Sequence, residues 1–482
     1  MSYRTISDVH RALQQKEVSV VELVQASLAA IAARDPQLGA FLRTRPQVLD
    51  EAVAVDKRLV AGAPLRPLDG VTLAVKDNLN LVGEEVTAAS KILERYRAIA
   101  TATAVARLQA QGALVVGKTN LDEFAMGAST ENSAYQTTKN PWNTVVVPGG
   151  SSGGSAVAVA SGQSLVAVGS DTGGSIRQPA SFTNLVGFKP TYGRVSRSGL
   201  IALASSLDQI GPFARTVEDA AAVYQVMAGR DENDATSSNR AVDDIAAALN
   251  QPVKNMRLGL PREFFGPGVD PGVTAVVEQA ADVYRRLGAT VCEVSIPHAR
   301  DALATYYIIQ PAEASSNLAR YDGIRYGRSV RDGQGLSGIY RQTRDAGFGA
   351  EVKRRIMIGT FVLSAGYVDA FYYHANRVRA MLREEFDRVF DQVDVLLTPT
   401  SPTVAFPLGA RTTDPLTMYL ADLLTVPANL ANIPAMSIPG GFAGDLPVGI
   451  QLMARTWDEA AIFRAGAAFQ RATDWHTKSP PT

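Results

Sequence analysis

Apolar and polar positions along the chain follow two periods, and the period changes often. Near the N-terminus the spacing is helical. "SVVE" sets Ser19 three residues before Glu22, as in a capping box, ahead of the apolar run "LVQASLAAIAA". "PQVLDEAVAVDKRLVAG" keeps the helical period, whereas the short run "VTLAV" suits a buried strand ending at Lys76. "TAVARLQAQG" and "ALVVGKTN" predict a helix, a glycine stop and another strand. Beyond about residue 215, "TVEDAAAVYQVMAG" predicts a capped helix, and "MRLGL" and "ATVCEVSI" predict strands flanking the helix "VTAVVEQAADVYRRLG". Long helical segments run through "AGYVDAFYYHANRVRAMLREEFDRVF". "VDVLLTPT", "AMSIPGGF" and "VGIQLMA" return to the strand type, and "DEAAIFRAGAAFQRAT" closes as a helix. Alternation of this kind predicts the α/β class, with a large mixed β-sheet covered by helices on both faces.

The stretch from about 127 to 200 breaks both periods. Glycine, serine and threonine crowd into "MGASTENSAYQTTKN", "VPGGSSGGSAVAVASG" and "VGSDTGGSIRQPA". Such a composition also suits a flexible linker. Here the clusters are interleaved with "AVAVA" and "SLVAVG", which read as a buried helix and a buried strand. The glycines are therefore expected in tight turns or at close backbone approaches. The last cluster sets Ser175 directly behind two glycines, where a turn can bring its hydroxyl up to a reacting atom.

Charge and composition narrow the function classes. Lys plus Arg number 47 and balance 47 Asp plus Glu, so the chain lacks the basic footprint of a protein that grips nucleic acid by its phosphates. With Cys292 as its one cysteine it can form no intrachain disulfide, which suits a reducing compartment. No apolar run reaches the roughly 18–20 residues of a membrane span, and the start "MSYRTISDVHRALQQKEVS" lacks the apolar region of a signal peptide. The expectation is a cytoplasmic protein.

A serine nucleophile requires a base. His10, His298, His374 and His476 all lie outside the glycine-rich segments, although a distant one folded back would complete a Ser-His-Asp triad. The sequence has no cysteine cluster or His-x-x-x-His pair of the zinc type, so no metal is expected. Lysine is the other common base. Lys76 closes an apolar strand, where burial lowers the amine's pKa and lets its neutral form accept a proton near pH 7. Read from its own run alone, the plainer assignment is a lysine whose amine reaches solvent.

Three segments together change that reading. "VKDN", "GGSSGGS" and "SDTGGSIRQPA", in that order, resemble the amidase signature family. The resemblance implies a Ser–cisSer–Lys triad. Ser175 matches the nucleophile that carries the acyl-ester intermediate, Ser151 the bridging serine after a non-proline cis peptide, and Lys76 the base. A hydroxyl both donates and accepts, so Ser151 can take the proton of Ser175 and pass its own to neutral Lys76. The backbone N–H groups of Thr172, Gly173, Gly174 and Ser175 are the expected oxyanion hole, each such donor being worth about 3 kcal/mol. Asp171 and Arg177, which flank the nucleophile, are expected to anchor the turn.

The resemblance extends through "KTNLDEFAMGASTENSAYQTTKNPW", "GFKPTYGRVSRSGLIALASSLDQIGPFART", "YYIIQPAEASSNLARYDGIRYG", "GFGAEVKRRIMIGTF" and "DPLTMYLADLLTVPANLANIPAMSIP". These blocks are similar to the glutaminase subunits of tRNA-dependent amidotransferases, a branch of the same family. One amidase domain over residues 1–482 is implied. It comprises a helical segment to about residue 65, a catalytic core over about 66–215 and a substrate-pocket portion beyond. Arg355 is implied to pair with the α-carboxylate of glutamine, Asp422 with its α-ammonium, and Tyr306 to line the pocket; Arg354 and Tyr307 are rivals for two of these roles. Ammonia would pass to a B subunit, within a heterotrimer completed by a C subunit. There it would convert Glu-tRNA(Gln) to Gln-tRNA(Gln), Asp-tRNA(Asn) to Asn-tRNA(Asn), or both. No cofactor is expected in this chain, and ATP and Mg are expected at the B subunit. Two other readings stay open: a stand-alone amidase of small amides, and a catalytically silent binding scaffold of the same fold. The loop "NPWNTVVVPGG" departs from the family, which usually has an Asp and an Arg there, and "SFTNLVGFKP" lacks a cysteine often found in that segment. These departures leave the loop's partner contacts open and do not touch the triad.

Overall fold

The computed structural model describes residues 3–332 and 335–481. Its strands are β1 (Phe41–Thr44), β2 (Thr72–Lys76), β3 (Leu114–Thr119), β4 (Val166–Asp171), β5 (Val186–Lys189), β6 (Gln209–Ala214), β7 (Arg257–Pro261), β8 (Thr290–Val294), β9 (Val395–Pro399), β10 (Ala435–Ala443) and β11 (Leu446–Ala454). They form one sheet in the order β1-β3-β2-β4-β6-β5-β10-β11-β9-β7-β8. Two trios are parallel, β3-β2-β4 and β8-β7-β9. The strands between them pair antiparallel. The sheet is thus mixed, as the alternation of periods predicts.

Alternation along β2 decides where the site lies. Leu73 and Val75 enter one core with Val115, Val166, Tyr224 and Phe463. Ala74 enters the opposite core with Val116, Ala167, Phe213 and the helix Gly153–Ala160. Successive side chains of a strand point to opposite faces, so Lys76 shares the side of Ala74. Every residue of that helix, "GGSAVAVA", is buried. Its small residues permit the fit: a Cβ on Gly154 would stand 2.4 Å from the carbonyl oxygen of Asn120. A separate core in the C-terminal half joins the helices Ala302–Asn317, Ala350–Val362 and His374–Val389.

The capping box is present, with Ser19 accepting from the Glu22 amide and Glu22 accepting from the Ser19 amide at the start of the helix Val20–Leu38. The segment "AGYVDAFYYHANRV…" is not one continuous α-helix: Asp369–Tyr373 is a π-helical turn and the α-helix begins at His374. Three strands gave no pattern in the sequence. β1 and β5 are four residues long, and β6, "QIGPFA", carries Gly211 and Pro212 in mid-strand. Among the described residues no helix is long and apolar enough to cross a membrane.

Candidate active site

The carboxyl ends of β2 and β4 meet beneath the N-terminus of the helix Gly153–Ala160. Lys76, the last residue of β2, is fully buried. Its Nζ lies 2.8 Å from Ser151 Oγ, 2.7 Å from Ser152 Oγ and 3.0 Å from Ser170 Oγ. Burial lowers its pKa from the usual 10.5 to about 7, against the opposing pull of Asp122, Asp171 and Asp208. No carboxylate lies within ion-pair distance of it among the described residues. Lys118, at the end of the neighbouring β3, is a useful contrast. It is also buried and lowered to about 8, but its Nζ pairs with Asp77 at 3.4 Å.

The partners of Lys76 define how a neutral amine would sit. Ser152 Oγ donates to the Ser170 carbonyl at 3.1 Å, so it can only accept from Lys76. Ser170 Oγ accepts from Asn78 Nδ2 at 2.9 Å and has room for one further N–H. A neutral amine has two N–H groups and one lone pair. With its two N–H groups directed to Ser152 and Ser170, a neutral amine would have its lone pair free for the Ser151 hydroxyl. Ser152, Ser170 and Asn78 had no signal in the sequence beyond lying in glycine-rich or strand segments.

The loop that carries Ser151 is held from several sides. The Gly150–Ser151 peptide is cis. Gly150 N–H donates to Gln178 Oε1 at 2.9 Å, Thr130 Oγ1 donates to the Gly149 carbonyl at 2.8 Å, and Gly153 N–H donates to Thr130 Oγ1 at 3.0 Å. Ser152 N–H donates to the Ser175 carbonyl at 3.2 Å, which joins this loop to the turn that carries Ser175. Ser175 is 6% exposed, and its hydroxyl makes no hydrogen bond to Ser151 in this structure. Reacting hydrogen bonds of this kind commonly close only around bound substrate.

Asp171 organises the turn after β4. It accepts from the Gly174 amide at 2.9 Å, the Ile176 amide at 3.2 Å and Asn429 Nδ2 at 2.8 Å. Arg177 grips it with Nε and Nη2, each at 3.0 Å. Burial pushes the Asp171 carboxyl up, but Arg177, Lys189 and Asn429 outweigh it and hold the pKa at about 2. The anchoring role expected of Asp171 and Arg177 matches these contacts. The same bonds bear on which amides of the turn are unengaged. Because Gly174 N–H already donates to Asp171, it is not free for substrate. The amides of Thr172, Gly173 and Ser175 donate to no protein acceptor among the described residues.

A second group of residues faces this turn from the C-terminal half. Thr425 Oγ1 donates to the Gly173 carbonyl at 2.6 Å and ties the turn to the segment Leu420–Asp422. A Cβ on Gly173 would stand 2.8 Å from the Tyr306 hydroxyl, so Tyr306 packs against the turn that carries Ser175. Asp422 accepts from its neighbour Tyr307 at 3.1 Å. Burial raises Asp422 to about 7, although Arg355 and Tyr307 pull it down. Arg355 is 3% exposed and Arg354 has a side chain 41% exposed, so the inward cation is Arg355. The two tyrosines divide the work: Tyr306 lines the turn and Tyr307 holds the carboxylate. None of the four histidines bonds to Lys76, Ser151 or Ser175; His298, for one, pairs with Glu385 at 2.5 Å.

The family pattern described as Amidase matches residues 22–463. The chain is 54% identical over 481 residues to the A subunit of glutamyl-tRNA(Gln) amidotransferase from Chloroflexus aggregans, covering 100% of this chain and 98% of that protein. Its structure is similar to that of the corresponding protein from Thermotoga maritima, with 43% identity, a TM-score of 0.78 and 95% of each chain covered. It is also similar to the peptide amidase of Stenotrophomonas maltophilia, at 32% identity and a TM-score of 0.84, covering 99% of this chain and 98% of that one.

Proposed function

The chain belongs to the amidase family, and on that premise we propose that it is the glutamine-hydrolysing component of a tRNA-dependent amidotransferase. What carries the reading is the junction of two groups: a buried Lys76–Ser151 pair beside a glycine turn, and Asp422, tied to that turn through Thr425, with Arg355 near enough to pull on its carboxylate. The first group suits amide hydrolysis. The second offers a cation and an anion to a zwitterionic amino acid. A shared fold would not separate a glutaminase from a peptide amidase; the high full-length identity to the amidotransferase protein favours the former.

In this reading glutamine lies with its α-carboxylate at Arg355, its α-ammonium at Asp422 and its side-chain amide at Ser175. Ser175 Oγ attacks the amide carbon. Its proton passes to Ser151, whose own proton goes to the lone pair of Lys76. The oxyanion faces the free amides of Thr172, Gly173 and Ser175. Lys76 then returns the proton through Ser151 to the leaving nitrogen, the C–N bond breaks, and ammonia departs from an acyl-ester on Ser175. Water enters by the same relay and releases glutamate. In this reading ammonia goes to the B subunit, which would use ATP and Mg, within a heterotrimer completed by the C subunit. The setting is cytoplasmic.

The test is a transamidation assay with the reconstituted three-subunit complex, glutamine, ATP, Mg²⁺ and either glutamyl-tRNA(Gln) or aspartyl-tRNA(Asn). Glutamine-dependent amidation of either tRNA is the expected result. Turnover of simple amides by the isolated chain, with no preference for glutamine, would contradict it.

A further inference from the structure

Arg355 is held by more than its own helix requires. Glu351 lies one turn earlier on the helix Ala350–Val362, and its Oε1 accepts from Arg355 Nε at 2.8 Å. The same oxygen accepts from the Tyr419 hydroxyl, also at 2.8 Å. Gln310 Oε1 accepts from Arg355 Nη1 at 2.9 Å. The rings of Tyr307 and Tyr419 stack with centroids 3.9 Å apart, and the guanidinium carbon lies 5.2 Å from each. An exposed i,i+4 ion pair would contribute little, but these side chains are only 3% and 10% exposed.

We propose that Glu351 and Tyr419 are positioning residues that aim Arg355 at the substrate's α-carboxylate, and so make the pocket select amides that bear one. The proposal rests on the glutamine reading above. With Nε fixed by Glu351 and Nη1 by Gln310, Nη2 is the part of the fork with no protein acceptor among the described residues. That edge is what remains for a carboxylate. The two stacked tyrosines each donate to one of the carboxylates: Tyr307 to Asp422 and Tyr419 to Glu351. Charge agrees with this layout. Glu351 is shared between the exposed Arg354 and the buried Arg355, so it does not fully neutralise Arg355, and Asp422 stands beside them as the acceptor for an ammonium. Such a pocket suits a zwitterion better than a ligand of net charge.

Removing the Tyr419 hydroxyl while keeping its ring would leave Glu351 free to turn toward Arg354. Arg355 would then lose its fixed aim without losing its charge. The effect belongs to substrates with an α-carboxylate and to no others.

The experiment compares Tyr419→Phe, Glu351→Gln and Arg355→Ala with the native chain in the assembled complex, using glutamine and 4-aminobutanamide, which is glutamine without its carboxylate. Tyr419→Phe and Glu351→Gln are expected to raise the glutamine KM about tenfold, the scale of one hydrogen bond to a charged group, with kcat within about twofold. Turnover of 4-aminobutanamide should be unchanged. Equal losses on both substrates, or no change in the glutamine KM, would overturn the proposal. If Arg355→Ala raises the glutamine KM and the other two variants do not, the proposal falls and the pocket stands. If Arg355→Ala leaves the KM unchanged, the glutamine pocket itself is wrong and the proposal falls with it. Should Glu351→Gln fail to fold, Tyr419→Phe decides alone.

Discussion

The turn that carries Ser175 is fixed by backbone groups and by one buried ion pair at the end of a strand, whereas the pocket around Arg355 and Asp422 is assembled from long side chains on separate helical segments. At the turn, Asp171 takes two amides, Asn429 and both arms of Arg177. In the pocket, Arg355 depends on Glu351 of its own helix and Gln310 of the helix Ala302–Asn317, and Asp422 depends on Tyr307. The first arrangement has little freedom to change without losing the reacting geometry. The second can exchange side chains while the sheet stays as it is. On the proposed function, the division separates reaction type, in the turns at the ends of β2 and β4, from substrate identity, in the helical half.

Variants on the two sides should therefore fail in different ways. The largest effect is expected for Ser175→Ala. Glutamine hydrolysis should fall by about 10⁴-fold or more, with thermal stability unchanged, because the Ser175 hydroxyl makes no hydrogen bond that the fold uses. Mass spectrometry with a slow glutamine analogue should place the acyl adduct on this residue, and an adduct on Ser151 or Ser152 would reverse the assignment. Arg177→Ala should unfold the turn rather than merely disable it. Both members of the Asp171–Arg177 pair are fully buried, and stranding one charge in such a pair costs about 3–5 kcal/mol. Urea denaturation measures this directly. A loss below about 1 kcal/mol would mean that water reaches the site and that the turn is held by its amides alone.

The smallest effect is on the pocket side and depends on pH. Burial raises the free-enzyme Asp422 to about 7, and only its ionised form suits an ammonium. Above that value the carboxylate is present; as pH falls through it, protonation removes the partner of the substrate. The glutamine KM should rise by about tenfold per pH unit on the acid side. 4-Carbamoylbutanoate, which lacks the α-amino group, should not show this rise. If both substrates show the same KM profile, the titration belongs to another group.

Legibility followed the same division. The strand ending in Lys76, the helix "GGSAVAVA" and the serine behind two glycines could be read from local pattern, because strand period and glycine clusters are local properties. Their resemblance to family motifs then supplied roles. The lack of a carboxylate partner for Lys76 was not legible: Lys118 near the end of β3 is buried in the same apolar style, and only the folded sheet gives it Asp77 and leaves Lys76 without an ion pair among the described residues. That the Gly174 amide is engaged by Asp171 is set by turn geometry and carries no local signal. Short β1 and β5, and β6 with Pro212, form only because neighbouring strands accept them. Glu351, Tyr419 and Gln310 sit on ordinary helical patterns, and their convergence on Arg355 is a tertiary fact.

The central claim is that Lys76 acts as a neutral base through Ser151. Glutaminase activity against pH for the native chain and for Lys76→Arg, with circular dichroism to check folding, tests it most directly. Arginine keeps the positive charge but is not deprotonated in a protein. At saturating glutamine, where the Asp422 effect on KM drops out, kcat of the native chain should rise with a midpoint near the lowered Lys76 value of about 7, with any coupling to the serines shared in that apparent value. Lys76→Arg should be nearly inactive at every pH. A folded Lys76→Arg variant with substantial activity would contradict the neutral-lysine relay and return the search for the base to the histidines.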